Sequence, residues 1–221
     1  MKQHKRNKRN NQQHKLEILE AKTPNQKDYI RDIIENDVIF CSGPSGSGKS
    51  YIAAGIASHH LHGGKIERII VTRPLVCAGK DVGSLPGELG EKIAPYLLPM
   101  QENLKHFLGR ALYGFYANSN QIELKPLEMM RGATFHDSYM ILDEAQNCTI
   151  DQIKMFITRM GRNSKVLING DTNQTDLRGH SGLSYVMNKL ERIEGVGVSH
   201  LGYEDIQRHG ILGDILNALE N

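Results

Sequence analysis

Two patterns of apolar and polar positions alternate along the chain: short continuous apolar runs and longer segments with helical spacing. The apolar runs predict buried strands at residues 37–41, 68–72, 139–142, 165–171 and 196–201. The remaining segments predict helices that begin near residue 24 and cover 50–57, 150–160, 181–193 and 205–219. Strands that alternate with helices are typical of an α/β fold with a mainly parallel sheet and helices on both faces.

The block at 75–135 interrupts this alternation. A helical pattern over 88–108 contains Pro95 and Pro99, and 122–126 predicts a further short strand. We expect this block to leave the sheet and to form a binding surface, as long excursions often do.

Residues 43–50 follow the first predicted strand and fit the phosphate-loop pattern G-x-x-x-x-G-K-[ST]. Its glycines let backbone N–H groups turn toward phosphate oxygens at a helix N-terminus. Lys49 is expected to reach the β- and γ-phosphates of ATP, and the Ser50 hydroxyl to coordinate Mg²⁺. A Gly/Ser-rich surface turn is the alternative, but the flanking strand and helix favour a nucleotide site. The residues of this stretch predicted to bind the nucleotide are Gly43, Pro44, Ser45, Gly46, Ser47, Gly48, Lys49, Ser50 and Tyr51.

The apolar run at 139–142 ends in two adjacent acids, Asp143 and Glu144, as a Walker B strand does. Asp143 is expected to ligate Mg²⁺, and Glu144 to polarise the water that attacks the γ-phosphate. The alternative is an acidic pair that caps the helix at 150–160. That alternative does not explain why the pair follows an apolar strand in a chain with a phosphate loop.

Four more polar side chains are candidates near this site. Gln26 lies in a first helical turn ahead of the loop and is interpreted as an adenine contact, with an ordinary helical residue as the alternative. Gln146 either couples the γ-phosphate to another surface or caps a helix. Gln174 follows the strand at 165–171 and is expected to sense the γ-phosphate. Arg208 opens the terminal helix and is a candidate for charge compensation in the transition state.

Charge divides the chain into two parts. The formal net charge is +2, yet residues 1–15 hold six Lys or Arg and no acid, so the remainder is mildly acidic. Such a segment is predicted to be disordered, either as an arm on nucleic acid phosphates or as a solubilising tail. The expected organisation is a basic tail at 1–20 and one nucleotide-binding ATPase domain at 21–221, for which the length suffices.

Cysteine usage and hydropathy indicate the cellular compartment in which the protein is expected. Cys41, Cys77 and Cys148 stand at unrelated spacings and predict neither a disulfide framework nor a zinc site. No apolar run reaches the length of a bilayer span, and no apolar segment follows the basic start as in a signal peptide. We expect a cytoplasmic protein without a membrane partner.

A set of short motifs resembles the PhoH-like protein family from about residue 23 onward. In chain order they are 43–50, Thr72-Arg73-Pro74, 131–135, 142–147, Gly170-Asp171 with Gln174, and Asp205 with Arg208-His209. The resemblance implies a RecA-like P-loop ATPase with one motor core, similar to superfamily 1 helicase motors. It also implies ATP and Mg²⁺ as cofactors, single-stranded nucleic acid (RNA more than DNA) as partner, a name linked to phosphate starvation, and assembly into a ring, with a hexamer favoured.

The resemblance also limits the expected activity. Relatives fused to a PIN nuclease domain are associated with RNA unwinding and cleavage, but this chain has no matching acidic cluster, so nuclease activity is not expected. A ring would supply the second core that translocating helicases need. Arg208 would act on ATP in the same subunit or, as the resemblance favours, on the neighbour's ATP. The leading hypothesis is an ATPase coupled to single-stranded nucleic acid. The alternatives are a P-loop kinase, against which Glu144 argues, and a regulatory module that binds ATP with little turnover.

Overall fold

The structure, a computed structural model, describes residues 16–74, 89–174 and 181–207 together with Gly210, Ile211, Ile215 and Ala218; at 89–94 it describes the backbone alone. The basic segment 1–15, Cys77 and Arg208 lie outside the described residues. The described part contains one six-stranded sheet. Its strands are β1 (Val38–Ser42), β2 (Arg68–Arg73), β3 (Ile122–Pro126), β4 (Ser138–Leu142), β5 (Lys165–Gly170) and β6 (Val196–His200).

Five α-helices connect or flank these strands in the described ranges. They are α1 (Pro24–Glu35), α2 (Lys49–His62), α3 (Leu89–Asn118), α4 (Ile150–Ile157) and α5 (Gly182–Leu190). Their starts follow from capping residues: the Thr23 side chain accepts from the Gln26 N–H ahead of α1, and Thr149 forms a capping box with Gln152 ahead of α4. Within the described residues, no helix combines the length and apolar character that a bilayer span needs.

Every neighbouring pair of strands is parallel, in the order β3-β2-β4-β5-β1-β6. The register aligns Thr72 with Leu142 and Ser42 with Gly170. The carboxyl ends of β1, β2, β4 and β5 therefore meet at one edge of the sheet, although they are far apart in the chain. Open α/β sheets bind their ligands at this edge.

Helices cover both faces of the sheet. On β1, Ile39 and Cys41 pack in the cluster that includes α1, α2 and α3, whereas Val38 and Phe40 pack with α4 and α5. Strands buried on both faces have continuous apolar runs, which is the pattern that predicted them. The prediction of a parallel α/β fold with helices on both faces is confirmed.

The middle block contains a longer helix than its pattern predicts. Helix α3 passes Pro95 and Pro99 and continues to Asn118, with a kink at Gly109, whose torsions (φ 74, ψ 155) are not helical. Glycine adopts a positive φ without a Cβ clash, so the helix resumes beyond this residue. The predicted strand at 122–126 is confirmed as β3 and pairs with β2.

The terminal helix does not begin at Asp205, which corrects its predicted start. Tyr203–Asp205 is a 3₁₀ turn, and Ile206 has extended backbone torsions. The Asp205 carboxylate accepts from the Gly202 N–H at 2.6 Å, which closes this turn rather than a helix. Further along, the described residues with helical backbone are Ile211, Ile215 and Ala218.

Residues 16–22, here called the N-terminal strap, lie across α2 and α3. Leu16 and Leu19 pack against the core, and the Glu17 N–H donates to the Phe107 carbonyl at 3.1 Å. A Cβ on Gly55 of α2 would lie 2.8 Å from Phe107 of α3 and 3.0 Å from Leu19, so this glycine makes room for both α3 and the strap. Composition alone assigns 16–20 to the tail, whereas in the structure two of the three apolar residues in this stretch, Leu16 and Leu19, pack on the domain.

Candidate functional site

The loop between β1 and α2 depends on glycine conformations. Gly46 (φ 88) and Gly48 (φ 101) have left-handed torsions. A Cβ on Gly48 would lie 3.0 Å from the side-chain nitrogen Nε2 of Gln26. Gly48 is the N-cap of α2, which begins at Lys49. The loop therefore places the free N–H groups of a helix N-terminus, which favour anions, at the sheet edge.

Lys49 and Ser50 occupy the first turn of α2. The Lys49 ammonium donates to the carbonyl oxygens of Gly43 at 2.5 Å and Pro44 at 2.9 Å. The Ser50 hydroxyl donates to Asp143 Oδ1 at 2.6 Å. The loop and the end of β4, separated by about ninety residues of chain, are thus in direct contact.

The two acids after β4 differ in exposure and backbone. The side chain of Asp143 is 4% exposed and that of Glu144 is 45% exposed. Glu144 has left-handed torsions (φ 57, ψ 40), which cost a non-glycine residue about 1–3 kcal/mol. Backbone strain of this kind concentrates at functional sites, and here it aims a carboxylate at the sheet edge.

Arg73, the last residue of β2, binds both acids. Its NH2 atom lies 3.0 Å from Asp143 Oδ2 and 2.8 Å from Glu144 Oε1, and its Nε donates to Asp143 Oδ2 at 3.1 Å. Its NH1 donates to the Tyr96 carbonyl of α3 at 2.8 Å. The sequence analysis placed Arg73 in the motif Thr72-Arg73-Pro74 but predicted no role for it.

Gln146 connects Glu144 to the end of β5. Its Nε2 donates to Glu144 Oε2 at 2.6 Å, and its Oε1 accepts from the Asp171 N–H at 3.0 Å. A Cβ on Gly170 would lie 2.9 Å from that oxygen, so the Gly-Asp pair leaves room for the amide. The Gln174 N–H donates to the Asp171 carbonyl at 3.2 Å. Gln146 thus links the acidic pair to the end of β5. Its coupling to a γ-phosphate stays a prediction.

A cavity of about 770 Å³ lies at this edge of the sheet. Its volume is within the range of small-molecule sites. The predicted residues that line it include Ser45, Gly46, Gly48, Gln26, Tyr51 and Gln174. The residues predicted as the phosphate loop and the Walker B pair also line it: Lys49, Ser50, Asp143 and Glu144.

Gln26 is buried beneath the loop with both ends of its amide engaged. Its Nε2 donates to the Ser47 carbonyl at 3.0 Å and, more weakly, to the Asp205 carbonyl at 3.4 Å. Its Oε1 accepts from the Lys22 N–H at 2.8 Å. These contacts give Gln26 a role in supporting the loop. The adenine contact inferred from its position remains a prediction.

Tyr51 forms part of the cavity wall next to the loop. Its ring centroid lies 4.7 Å from that of Phe107, and its hydroxyl lies 3.1 Å from His106 Nε2. Partial burial raises the pKa of the Tyr51 phenol, so this hydroxyl stays protonated at neutral pH. Tyr51 therefore presents a neutral aromatic surface to a ligand. Arg208, the fourth predicted catalytic residue, lies outside the described residues.

Asp205 joins the C-terminal segment to the start of α1. Its buried carboxylate accepts from the Thr23 hydroxyl and, at 2.9 Å, from Asn25 Nδ2. Two residues later, the Gln207 N–H donates to the Gly46 carbonyl of the loop at 3.2 Å. Sequence reasoning named Asp205 as a motif residue without a role, and its role is to hold this segment against the loop.

Replacing Asp205 by alanine is expected to lower the free energy of unfolding by about 1–3 kcal/mol, because the partly buried donors of Thr23 and Gly202 lose their buried acceptor. Urea unfolding measures this change. Glu204→Ala is the matched control, since its exposed carboxylate accepts one bond from Asn25 at 3.1 Å and its loss should change stability by less than about 0.5 kcal/mol. Equal losses in the two variants would contradict the role given to Asp205.

Comparison of the sequence with known proteins gives relatives along most of the chain. The chain is 43% identical over 204 residues to a PhoH-like protein of Bacillus subtilis, covering 91% of this chain and 64% of that protein. It is 41% identical over 202 residues to Protein PhoH of Escherichia coli K12, covering 90% of this chain and 57% of that protein. The chain therefore spans about three fifths of the length of these curated relatives.

Solved structures share the fold at low sequence identity. The large terminase of a thermophilic bacteriophage superimposes with a TM-score of 0.56 at 12% identity, over 88% of this chain and 49% of the terminase. The UvsW helicase of bacteriophage T4 gives 0.52 at 16% identity, over 82% of this chain and 60% of the helicase. The architecture is thus the RecA-like fold of P-loop motor domains. The family model described as PhoH-like protein matches residues 18–220, so this chain belongs to the PhoH-like protein family.

Proposed function

We propose that this chain is a Mg²⁺-dependent ATPase that couples hydrolysis to the binding of single-stranded nucleic acid, RNA more than DNA. The observation that carries the proposal is the 2.6 Å contact between the Ser50 hydroxyl and Asp143, at a cavity that Lys49 and Glu144 also line. A phosphate loop and an acidic strand end are brought together as nucleotide hydrolysis requires.

The loop is suited to bind the triphosphate. The Lys49 ammonium donates to two neutral carbonyl oxygens, and phosphate oxygens are stronger acceptors for it because the bond is then charge-assisted. The N–H groups at the start of α2 add donors on the same side. We expect Lys49 to exchange the carbonyls for the β- and γ-phosphates when ATP binds.

The donor set beside the loop fits Mg²⁺. Magnesium takes hard oxygen ligands and is usually held by one or two carboxylates with substrate phosphates. Ser50 and Asp143 would hold the ion, which would supply charge neutralisation at the phosphates. Among the described residues, no cluster of three or more His, Cys, Asp or Glu is placed to hold a metal.

Glu144 is the group suited to orient the attacking water. Its carboxylate is half-exposed at the cavity and its backbone is held in strained torsions. A positioned carboxylate contributes by polarising water in the transition state. The Gln146 amide, bonded to Glu144 and to the Asp171 N–H, links this carboxylate to the end of β5, where Gln174 also lines the cavity.

Coupling to nucleic acid is supported by the basic segment and by analogy of fold. Two structures that share the fold belong to a helicase and a terminase, but shared fold alone is an associational argument. The direct experiment measures phosphate release from ATP with no nucleic acid, with single-stranded RNA and with single-stranded DNA. Turnover that RNA raises more than DNA supports the proposal, and turnover that neither changes refutes the coupling.

Deleting residues 1–15 is expected to flatten the salt dependence of nucleic acid binding. The segment carries six basic side chains, and each phosphate contact contributes about 0.7 to the log–log slope on single strands, so the slope should fall by up to about four units. Binding measured between low and moderate salt gives the slope. As a control, the deletion should leave the KM for ATP unchanged. An unchanged slope would assign the segment a solubilising role.

A further inference from the structure

We infer that Arg73 is a positioning residue that restrains Glu144 and links it to helix α3. The inference rests on the proposed ATPase function and adds its regulation. In this arrangement Arg73 holds the Glu144 carboxylate against β2, and a displacement of α3 releases it for hydrolysis. The α3 helix is therefore the element through which a partner controls turnover.

The restraint is visible in the bonds around Glu144. Its Oε1 accepts from Arg73 NH2 at 2.8 Å and its Oε2 accepts from Gln146 Nε2 at 2.6 Å. Both carboxylate oxygens are thus engaged by protein donors, one of them a full positive charge. Each oxygen keeps a second lone pair, but the two bonds fix the direction in which the carboxylate can accept from water, so turning it toward a water in another direction requires one of them to open.

The arginine itself is held on three sides. Its guanidinium contacts Asp143 Oδ2 through NH2 and Nε, Glu144 through NH2, and the Tyr96 carbonyl through NH1. Its side chain is only 17% exposed. The planar guanidinium makes several bonds in fixed directions, which a lysine ammonium on a flexible chain does not reproduce. Arg73 is therefore a junction between the two acids and α3.

The attachment point on α3 lies between two prolines of that helix. Tyr96 follows Pro95 and precedes Pro99, and a proline inside a helix has no N–H for a helical hydrogen bond. Pro99 and Asn103, about one and two helical turns beyond Tyr96, line the same cavity as Arg73. A segment that lacks helical hydrogen bonds at two prolines and lines the cavity can change position at lower cost than a fully hydrogen-bonded helix. Its movement would pull on Arg73 directly.

Charge provides a second reason for release. Positive charge bound at Ser50 and Asp143 would repel the guanidinium, which already contacts Asp143. A cation bound at these two residues would therefore weaken the hold of Arg73 on Asp143. The bonds to Glu144 and to Tyr96 remain, and their opening is the step that we assign to movement of α3.

The test compares Arg73→Ala with Arg68→Ala, an arginine at the opposite end of the same strand that pairs with Glu123 at 3.7 Å. In Arg73→Ala, kcat without nucleic acid should rise about three- to tenfold, the KM for ATP should stay within about twofold, and stimulation by single-stranded RNA should disappear. Arg68→Ala should behave as the wild type. A kcat that falls tenfold or more at unchanged KM would overturn the inference and make Arg73 a catalytic cation.

Arg73→Lys separates bonding geometry from charge. If the three-sided junction is the restraint, the lysine variant should show the raised basal kcat of the alanine variant. If it retains wild-type kcat and stimulation, charge alone suffices and the junction is refuted.

A measurement independent of turnover is hydrogen exchange of α3 on addition of a non-hydrolysable ATP analogue with Mg²⁺. Exchange at residues 96–104 should change in the wild type and should be insensitive to the analogue in Arg73→Ala. The same change in both proteins would overturn the link to α3. If the wild type neither binds nor hydrolyses ATP, the proposed function fails; if it does both and Arg73→Ala is indistinguishable from it, only this inference fails.

Discussion

Replacing Lys49 by alanine is expected to abolish ATP binding and turnover together. The ammonium already makes two bonds at the loop, and with ATP it would make charge-assisted bonds to phosphate oxygens. Each hydrogen bond to a charged group contributes about 1.5–3 kcal/mol, which is about a 10- to 150-fold change in affinity for each bond lost. Equilibrium binding of a fluorescent ATP analogue and phosphate release measure the two effects.

Lys65→Ala is the control for this change. Lys65 is exposed beyond the far end of α2, so its removal takes away the same charge from the surface without touching the loop. Its ATP affinity and turnover should match the wild type. Hydrolysis near the wild-type rate in Lys49→Ala would remove the basis for placing the phosphates at this loop.

Glu144→Gln is expected to separate binding from hydrolysis. The substitution keeps the shape of the side chain and leaves Asp143 and Ser50 in contact, so ATP affinity should change by only a few-fold. Loss of the carboxylate that polarises water should lower kcat by about 10²–10⁴. Single-turnover hydrolysis and ATP binding on the same preparation give both quantities.

Two comparisons make this prediction specific. Glu191→Gln removes a charge from an exposed position at the end of α5 and should leave kcat unchanged. Asp143→Asn should instead raise the Mg²⁺ concentration needed for turnover, because it weakens a proposed metal ligand. If Glu144→Gln fails to bind ATP, the division of roles between the two acids is wrong.

The phosphate loop and the acidic strand end could be predicted because their signals are local. The torsions of Gly46 and Gly48, the apolar run of β1 and the start of α2 all lie within one stretch of chain. The acids after β4 are similarly marked by the strand that precedes them. Where a residue type has strict backbone or burial requirements, the local structure can be predicted without knowledge of what packs around it.

Other features depended on partners that are remote in the chain. The buried amide of Gln26 is engaged by Ser47 and Lys22, and the strap residue Leu19 packs against Gly55. A glutamine in a first helical turn and a leucine beside a basic segment do not specify such partners by themselves. This is why the sequence did not predict these contacts, and why the predicted start of the terminal helix at Asp205 differs from the structure.

The sequence by itself determined the strands, the phosphate loop, the acidic pair and the family, since each depends on neighbouring residues or on residue identity along the chain. The tertiary structure alone decided the strand order, which places β4 and β5 between β1 and β2. That order brings Arg73 onto Asp143 and Glu144, about seventy residues away, and brings Asp205 onto Thr23, which is 182 residues away. Contacts at such separations depend on how whole elements pack, because local propensity and periodicity hold no information about which elements become neighbours.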